Sequence, residues 1–377
     1  MPRRPRRRSV ARRYRRGGVA SVLALLLAAV LAACGGSTDE PGGIDISSGS
    51  RHLNLVAFSA AKPAFDQLIP LFRKEHPDIG FSQSYGASGD QSRKVVRHVP
   101  VDVVNFSVEP DVTRDVKAGL IDDDWDTVHP NHGVPFTSAV VMVVRQGNPK
   151  GIHDWSDLLK PGVDVVTPNP ASSGSAKWNL MAPYAWASDG GRNPQAGVDF
   201  VKKLIKQHTH VSPNSGRDAT TAFQAGQGDV LLSYESEAVM LQKQNKAAGL
   251  KPVEYFIPPQ SFRIDLAVAT VNTSTDAAAA KDFVTFLYSD AAQRALPTAG
   301  FRPVVPAVVA QTAGQFTAQP QKLWTTDELG AELGRGTAGK TVSGKKLTKD
   351  LKGWPAVDAA LFGDKGSISK IYTSGGK

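Results

Sequence analysis

Three short stretches hold the residues best suited to chemistry. The first reads Ser84-Tyr85-Gly86-Ala87-Ser88-Gly89-Asp90-Gln91. The second reads Thr167-Pro168-Asn169-Pro170-Ala171-Ser172-Ser173-Gly174-Ser175-Ala176-Lys177-Trp178-Asn179. The third reads Ser215-Gly216-Arg217-Asp218-Ala219-Thr220-Thr221. Each stands where a strand-like pattern gives way to a helical one. A helix start exposes unpaired backbone N–H groups and the positive end of the helix dipole, which together attract an anion. Small residues let an oxyanion approach the main chain closely, and a serine hydroxyl adds one more donor. Ser or Gly ahead of a helix is equally what an ordinary N-cap requires, so these residue types do not by themselves name an anion. Asp90 and Asp218 lie near two of the loops; as first-turn carboxylates in solvent they complement the helix dipole.

The elements that must position these loops are legible from periodicity. Residues 53–58 form a continuous apolar run, a strand buried on both faces. Phe65, Leu68, Ile69 and Phe72 are spaced as one face of a helix over 63–75, opened by Pro63 and ended before Pro77. Strands are expected at 79–85, 101–106, 163–167 and 229–234. Helices are expected at 89–98, 175–187, 194–208, 218–225, 235–248, 276–288 and 290–298, with a further turn near 155–159. This alternation predicts an α/β fold with a parallel sheet. Two longer β-prone stretches, 134–145 and 262–271, bracket a self-contained α/β segment. They read as crossovers between two lobes, 51–137 with 262–377 and 138–261. Ligands of such folds sit beyond the carboxyl ends of the strands, here in the cleft. The stretch after Thr325 is polar and rich in Gly and Lys, and no pattern assigns it.

The amino end has a different character. Residues 1–16 contain nine Arg and no acid, residues 19–33 are an apolar run, and Leu31-Ala32-Ala33 precede Cys34. This is the layout of a secretory signal, and its fifteen-residue core is shorter than the roughly 20 residues of a comfortable membrane span. Leu-Ala-Ala-Cys resembles a bacterial lipobox, whose cysteine takes a diacylglycerol and becomes the first residue. Cys34 is the single cysteine, so no intrachain disulfide exists. Residues 34–50 are polar and Gly/Ser-rich, a flexible tether. The formal net charge of +9 resides in the leader: without its nine Arg, 35 Lys and Arg face 35 Asp and Glu. With no basic cluster after the leader, nucleic-acid binding is not expected.

The chain resembles the sulfate- and thiosulfate-binding proteins of ABC importers over residues 53–305. The likeness is carried by Gly86-Ala87-Ser88-Gly89, Val143-Val144-Arg145-Gln146-Gly147-Asn148-Pro149 and Ile152-His153-Asp154-Trp155-Ser156-Asp157-Leu158-Leu159-Lys160-Pro161-Gly162-Val163. It is carried also by Thr167-Pro168-Asn169-Pro170 with Ser172-Ser173-Gly174, and by Gly228-Asp229-Val230-Leu231. The resemblance implies a two-lobed periplasmic-binding-protein fold (type 2), each lobe a β-sheet flanked by helices, hinged at crossover strands. It implies a monomeric receptor that captures sulfate or thiosulfate and delivers it to permease subunits with a cytoplasmic ATPase. Position by position it assigns to the anion the amide of Ser88, the hydroxyl of Ser173, the amides of Gly174 and Ser175, the amide of Gly216, and Tyr234 at the position of a family tryptophan. Arg217 falls behind the third loop as support. Two departures stand out: Tyr replaces Trp, and Phe58-Ser59-Ala60-Ala61-Lys62-Pro63 lacks the family's aspartate after the first strand.

Other classes find little support. Ser343 and Lys346 fit Ser-x-x-Lys in a polar tail without acid–base partners. The eight His show no metal-ligand spacing, and no phosphate-binding glycine loop occurs. No enzyme, metal or cofactor is therefore expected. The alternatives are a receptor for phosphate or molybdate and a lipid-anchored scaffold domain.

Overall fold

The apolar run of β1 (Arg51–Phe58) feeds two cores at once, because alternate side chains leave a strand on opposite faces. Leu53, Leu55 and Ala57 pack with Phe65, Leu68, Ile69 and Phe72, the expected stripe of helix α1 (Lys62–Glu75). Val56 packs on the other face with Val95, Val104 and Phe106. The computed structural model describes residues 47–316, 320–342 and 344–373. The signal, Cys34 and most of the tether lie outside them, as does Ser343. No helix of the described residues is long and apolar enough to cross a membrane.

The sheet runs in the order β2-β1-β3-β8-β4-β6-β5, with β2 at Ile79–Gly86, β3 at Val103–Phe106, β4 at Phe136–Arg145, β5 at Val165–Val166, β6 at Val230–Tyr234, β7 at Val253–Phe256 and β8 at Gln260–Thr270. It is mixed, which corrects the expected parallel sheet. β1 runs parallel to β2 and β3, and β5 parallel to β6. β8 is antiparallel to β3 and β4, and β4 is antiparallel to β6 and β7. Apolar periodicity encodes a strand and not its direction, so the pattern could not show this. The two long strands are the seam. Phe136–Ala139 of β4 pair with Arg263–Leu266 of β8. Farther along, β4 joins β6 while β8 joins β3. Ser261 Oγ donates to the Val140 carbonyl at 2.6 Å, and Ser138 Oγ accepts the Ser236 amide at 3.3 Å.

Six further helices matter for the site: α2 (Ser88–Val96), α3 (Glu109–Lys117), α4 (Gly174–Ala187), α5 (Pro194–His208), α6 (Gly216–Gln224) and α7 (Glu235–Ala247). α3 carries no periodic apolar stripe in the sequence, its apolar residues being limited to Val112 and Val116. The stretch after Thr325 is also ordered. Thr325 and Glu328 form a capping box that starts the helix Thr326–Gly334. Trp354 meets Trp178 of α4 edge-on at 4.9 Å, and the last helix, Ser367–Thr373, packs on α5. This tail touches helices of the 138–261 segment, and through Gly353–Val357 and Lys322–Trp324 also α3 and β8. Its anchors, Leu329, Trp354, Val357, Leu361, Ile368 and Ile371, are buried in the core but stand in short groups separated by polar, Gly- and Lys-rich sequence.

Candidate anion-binding site

Four helical starts converge on one small cavity of about 10 Å3. Ser88 opens α2 at the end of β2, Gly174 and Ser175 open α4, and Gly216 opens α6. The fourth start is the short 3-10 turn Ser59–Ala61, which follows β1 and runs into α1. Ser88, Ser173, Gly174, Ser175 and Gly216 all line the cavity, joined by Ser59, Ala60 and Ser107. Among the described residues, no ionisable side chain belongs to that lining.

The caps of these helix starts differ. At α6, Ser215 behaves as a plain N-cap, its Oγ accepting the Asp218 amide at 3.1 Å. At α2 the cap position is Ala87, which has no side-chain acceptor. At α4 the cap residue Ser173 caps no backbone amide; its Oγ instead pairs with the Ser175 hydroxyl in the first turn, at 2.7 Å. The first amides of α2 and α4 therefore have neither an intrahelical nor a side-chain acceptor. The first loop meets the second directly: the Gly89 amide donates to the Ser172 carbonyl at 3.1 Å. A Cβ added to Gly174 would stand 2.8 Å from Cβ and Oγ of Ser107 and 3.2 Å from Cβ of Ser88. Only glycine permits that approach.

Buried polar groups hold the wall from behind. Ser88 Oγ donates to Asp111 of α3 at 2.6 Å and accepts the Ser107 amide at 3.0 Å, while Arg114 pairs with Asp111 at 2.8 Å. The Ser88 hydroxyl is thus committed, leaving its amide for a ligand. Behind Asp111 lies Asp115, buried, with Oδ1 2.9 Å from Ser92 Oγ and Oδ2 without a hydrogen-bond partner. Burial pushes its carboxyl up to about 7. The folded chain therefore holds a proton that the unfolded chain has released, and stability falls as pH rises from the ordinary Asp range to about 7. Asp115→Asn should flatten that part of the curve, which urea unfolding at pH values on either side of this window will read.

Beneath α6 the fully buried Glu237 accepts from Ser233 Oγ at 3.0 Å. Burial raises its carboxyl, and the Arg217 charge opposes that rise. Arg217 does not line the cavity. It lines a larger outer hollow, about 750 Å3, together with Lys62, Asp66, Asp90 and Asp218. There Lys62 is paired with Asp66 at 2.7 Å and Asp90 with Arg93 at 2.5 Å, so neither is a bare charge. Asp90 and Asp218 stay outside the inner lining.

A sequence profile described as "Bacterial extracellular solute-binding protein" matches residues 53–302. The chain belongs to that family. A sulfate-binding protein of Synechococcus elongatus is 34% identical over 361 residues, covering 93% of this chain and 94% of its own. A thiosulfate-binding protein of Escherichia coli is 30% identical over 341 residues, covering 88% and 92%. The solved sulfate-binding protein SubI from Mycobacterium tuberculosis H37Rv is 48% identical with a TM-score of 0.73, covering 83% of this chain and all of that one. The fold is the two-lobed one of periplasmic binding proteins.

In this solute-binding protein Tyr234, expected at the anion, stands one residue behind the cavity lining. Tyr234 is fully buried at the end of β6 and does not line the cavity. Its hydroxyl lies 2.5 Å from Ser107 Oγ, and its ring packs against Phe58 at 6.2 Å. Burial raises its phenol well above the usual range, so it acts as a neutral hydroxyl. Ser107 lines the cavity. It follows β3, and its carbonyl accepts the Trp178 indole N–H at 2.6 Å. Sequence reading missed Ser107, Ser59 and Ala60. Small residues at the carboxyl end of a buried strand were the available signal: Ser59-Ala60-Ala61 after β1 and Ser107 after β3 are both such positions.

Proposed function

We propose that this protein is an extracytoplasmic receptor that binds sulfate, or thiosulfate, in this cavity and delivers it to an ABC import permease. The observation that carries the reading is the lining: helix-start amides and serine hydroxyls, with carboxylates held behind it. Such a wall offers hydrogen-bond donors to a fully ionised tetrahedral anion. Hydrogen phosphate carries a proton that needs an acceptor, and burying it unpaired is penalised. The names of the relatives point the same way.

In this proposal, lobe I is 51–137 with part of 262–377, and lobe II is 138–261. The lobes swing about the β4–β8 seam, and the anion favours the closed state because it binds helix starts from both. Residues 1–33 direct export. Acyl chains on Cys34 anchor a monomer to the outer face of the cytoplasmic membrane. The permease and its cytoplasmic ATPase complete the importer; the receptor itself performs no chemistry.

The test is isothermal titration of residues 51–377, stripped of ligand, with sulfate, thiosulfate, molybdate and phosphate. Sulfate or thiosulfate should bind and phosphate stay silent. Ser173→Ala should weaken sulfate about tenfold, the worth of one hydrogen bond to a charged group. Preferential phosphate binding would assign the cavity to a different oxyanion. No binding by any of the four would leave the scaffold reading.

A further inference from the structure

One turn after Gly174, at the spacing that places two residues on the same helix face, stands Trp178 of α4, fully buried. Its indole N–H can only donate, and it donates to the Ser107 carbonyl at 2.6 Å. In the proposed two-lobe arrangement this bond runs from lobe II to lobe I, so opening must break it. The ring is held by Phe262 of β8 at 5.8 Å and by Trp354, edge-on, at 4.9 Å. Trp354 is itself buried, and it belongs to the tail, beyond residue 302 where the family profile ends. We infer that Trp178 is an interlobe clasp that slows release of the bound anion, and that Trp354 of the tail is a positioning residue for it.

This rests on the proposed receptor and the closure of its lobes. The tail is fastened to lobe II around this tryptophan at several points. Lys322–Trp324 run beside Gln260–Phe262 of β8. Lys177, the neighbour of Trp178, lies 3.6 Å from Asp358 and 5.6 Å from the centre of the Phe362 ring. The last helix packs on α5. Trp354 therefore travels with Trp178 when the lobes part. Its short helix, Gly353–Val357, also meets α3, the helix whose Asp111 backs Ser88, and that contact too must be broken on opening. On the facing lobe, the Ser107 amide is tied to Ser88 Oγ at 3.0 Å, which fixes the peptide that presents the carbonyl. An indole already held in place makes its bond without a further loss of rotamer freedom. With Trp354 cut back, closure must also order the ring.

The experiment uses residues 51–377, almost all of the compact unit Ile46–Lys377. The parent is compared with Trp178→Phe, which removes the N–H and keeps an aromatic ring, with Trp354→Leu, with the conservative Trp354→Phe, and with Trp178→Phe/Trp354→Leu. Radiolabelled sulfate is bound, then chased with excess unlabelled sulfate, so that release is read without tryptophan fluorescence; a thermal melt of each variant checks folding. Trp178→Phe should release sulfate about five- to tenfold faster, the worth of one hydrogen bond, with association unchanged. Trp354→Leu should speed release about threefold or more, and Trp354→Phe should stay near the parent. The double variant should release no faster than Trp178→Phe, because Trp354 acts through the clasp. Parent-like release from Trp178→Phe would overturn the clasp. A Trp354→Leu effect that persists in full without the indole, or a lowered melting temperature with unchanged release, would overturn the role of the tail. Should Trp178→Phe not fold, the contrast between Trp354→Leu and Trp354→Phe decides the matter. A parent that binds no sulfate would instead sink the receptor reading on which all of this stands.

Discussion

Gly174→Ala is expected to lower sulfate affinity by about ten- to a hundredfold without lowering the melting temperature of the ligand-free protein. The new methyl group would stand 2.8 Å from Cβ and Oγ of Ser107 and 3.2 Å from Cβ of Ser88. None of these is the far end of a flexible chain. The backbone of Ser107 is pinned by Ser88 and Trp178, so it cannot step aside cheaply. Forcing a methyl into a packed contact costs about 1–3 kcal/mol, which corresponds to roughly that range of affinity. In the proposed receptor the loss falls on closure, because the clash joins the end of β3 to the start of α4, the two elements proposed to close around the anion. Calorimetry gives the affinity, and small-angle scattering with saturating sulfate shows whether the compact form is reached. Parent-like affinity would mean that α4 docks on Ser107 with slack.

Arg302→Met should be the most destabilising single change among those considered, by about 3–5 kcal/mol. Arg302 Nε lies 2.6 Å from Glu235, whose side chain is fully buried at the start of α7. A second bond of 3.0 Å makes the pair bidentate. Burial raises the Glu235 carboxyl, and Arg302 is what opposes that rise. Methionine keeps much of the apolar stem and leaves the carboxylate unpaired. The pH dependence follows from the sign of this shift. A buried acid with a raised pKa destabilises the fold as pH climbs from its unfolded value through its folded one. Losing Arg302 raises the folded value further, so the deficit should be small in acid and grow toward neutral pH. Urea unfolding across that range measures it. Glu235→Gln combined with Arg302→Met should recover much of the loss, since it removes the stranded charge. Because Arg302–Pro303 pair with Phe136 and Thr137 of β4, the ion pair also ties α7 to the seam between the lobes.

The amino-acid sequence by itself determined the parts that depend on neighbours within a turn or two. The stripe of Phe65, Leu68, Ile69 and Phe72 specifies one buried helix face, and the structure uses it. The α5 helix spans Pro194–His208 as its proline start and apolar spacing require. The three Ser/Gly loops open helices α2, α4 and α6, because small residues and caps act locally. Tertiary structure alone decided the rest. Strand direction at β4 and β8 depends on how the chain crosses between lobes, which an apolar run does not record. Ser107 reaches Tyr234 across 127 positions of sequence, and no periodicity spans that distance. Whether a serine caps a backbone amide, as Ser215 does, or bonds a neighbouring hydroxyl, as Ser173 does, depends on what packs opposite. A donor wall is assembled from strand ends that folding alone brings together. Each residue's type was therefore legible before its role was.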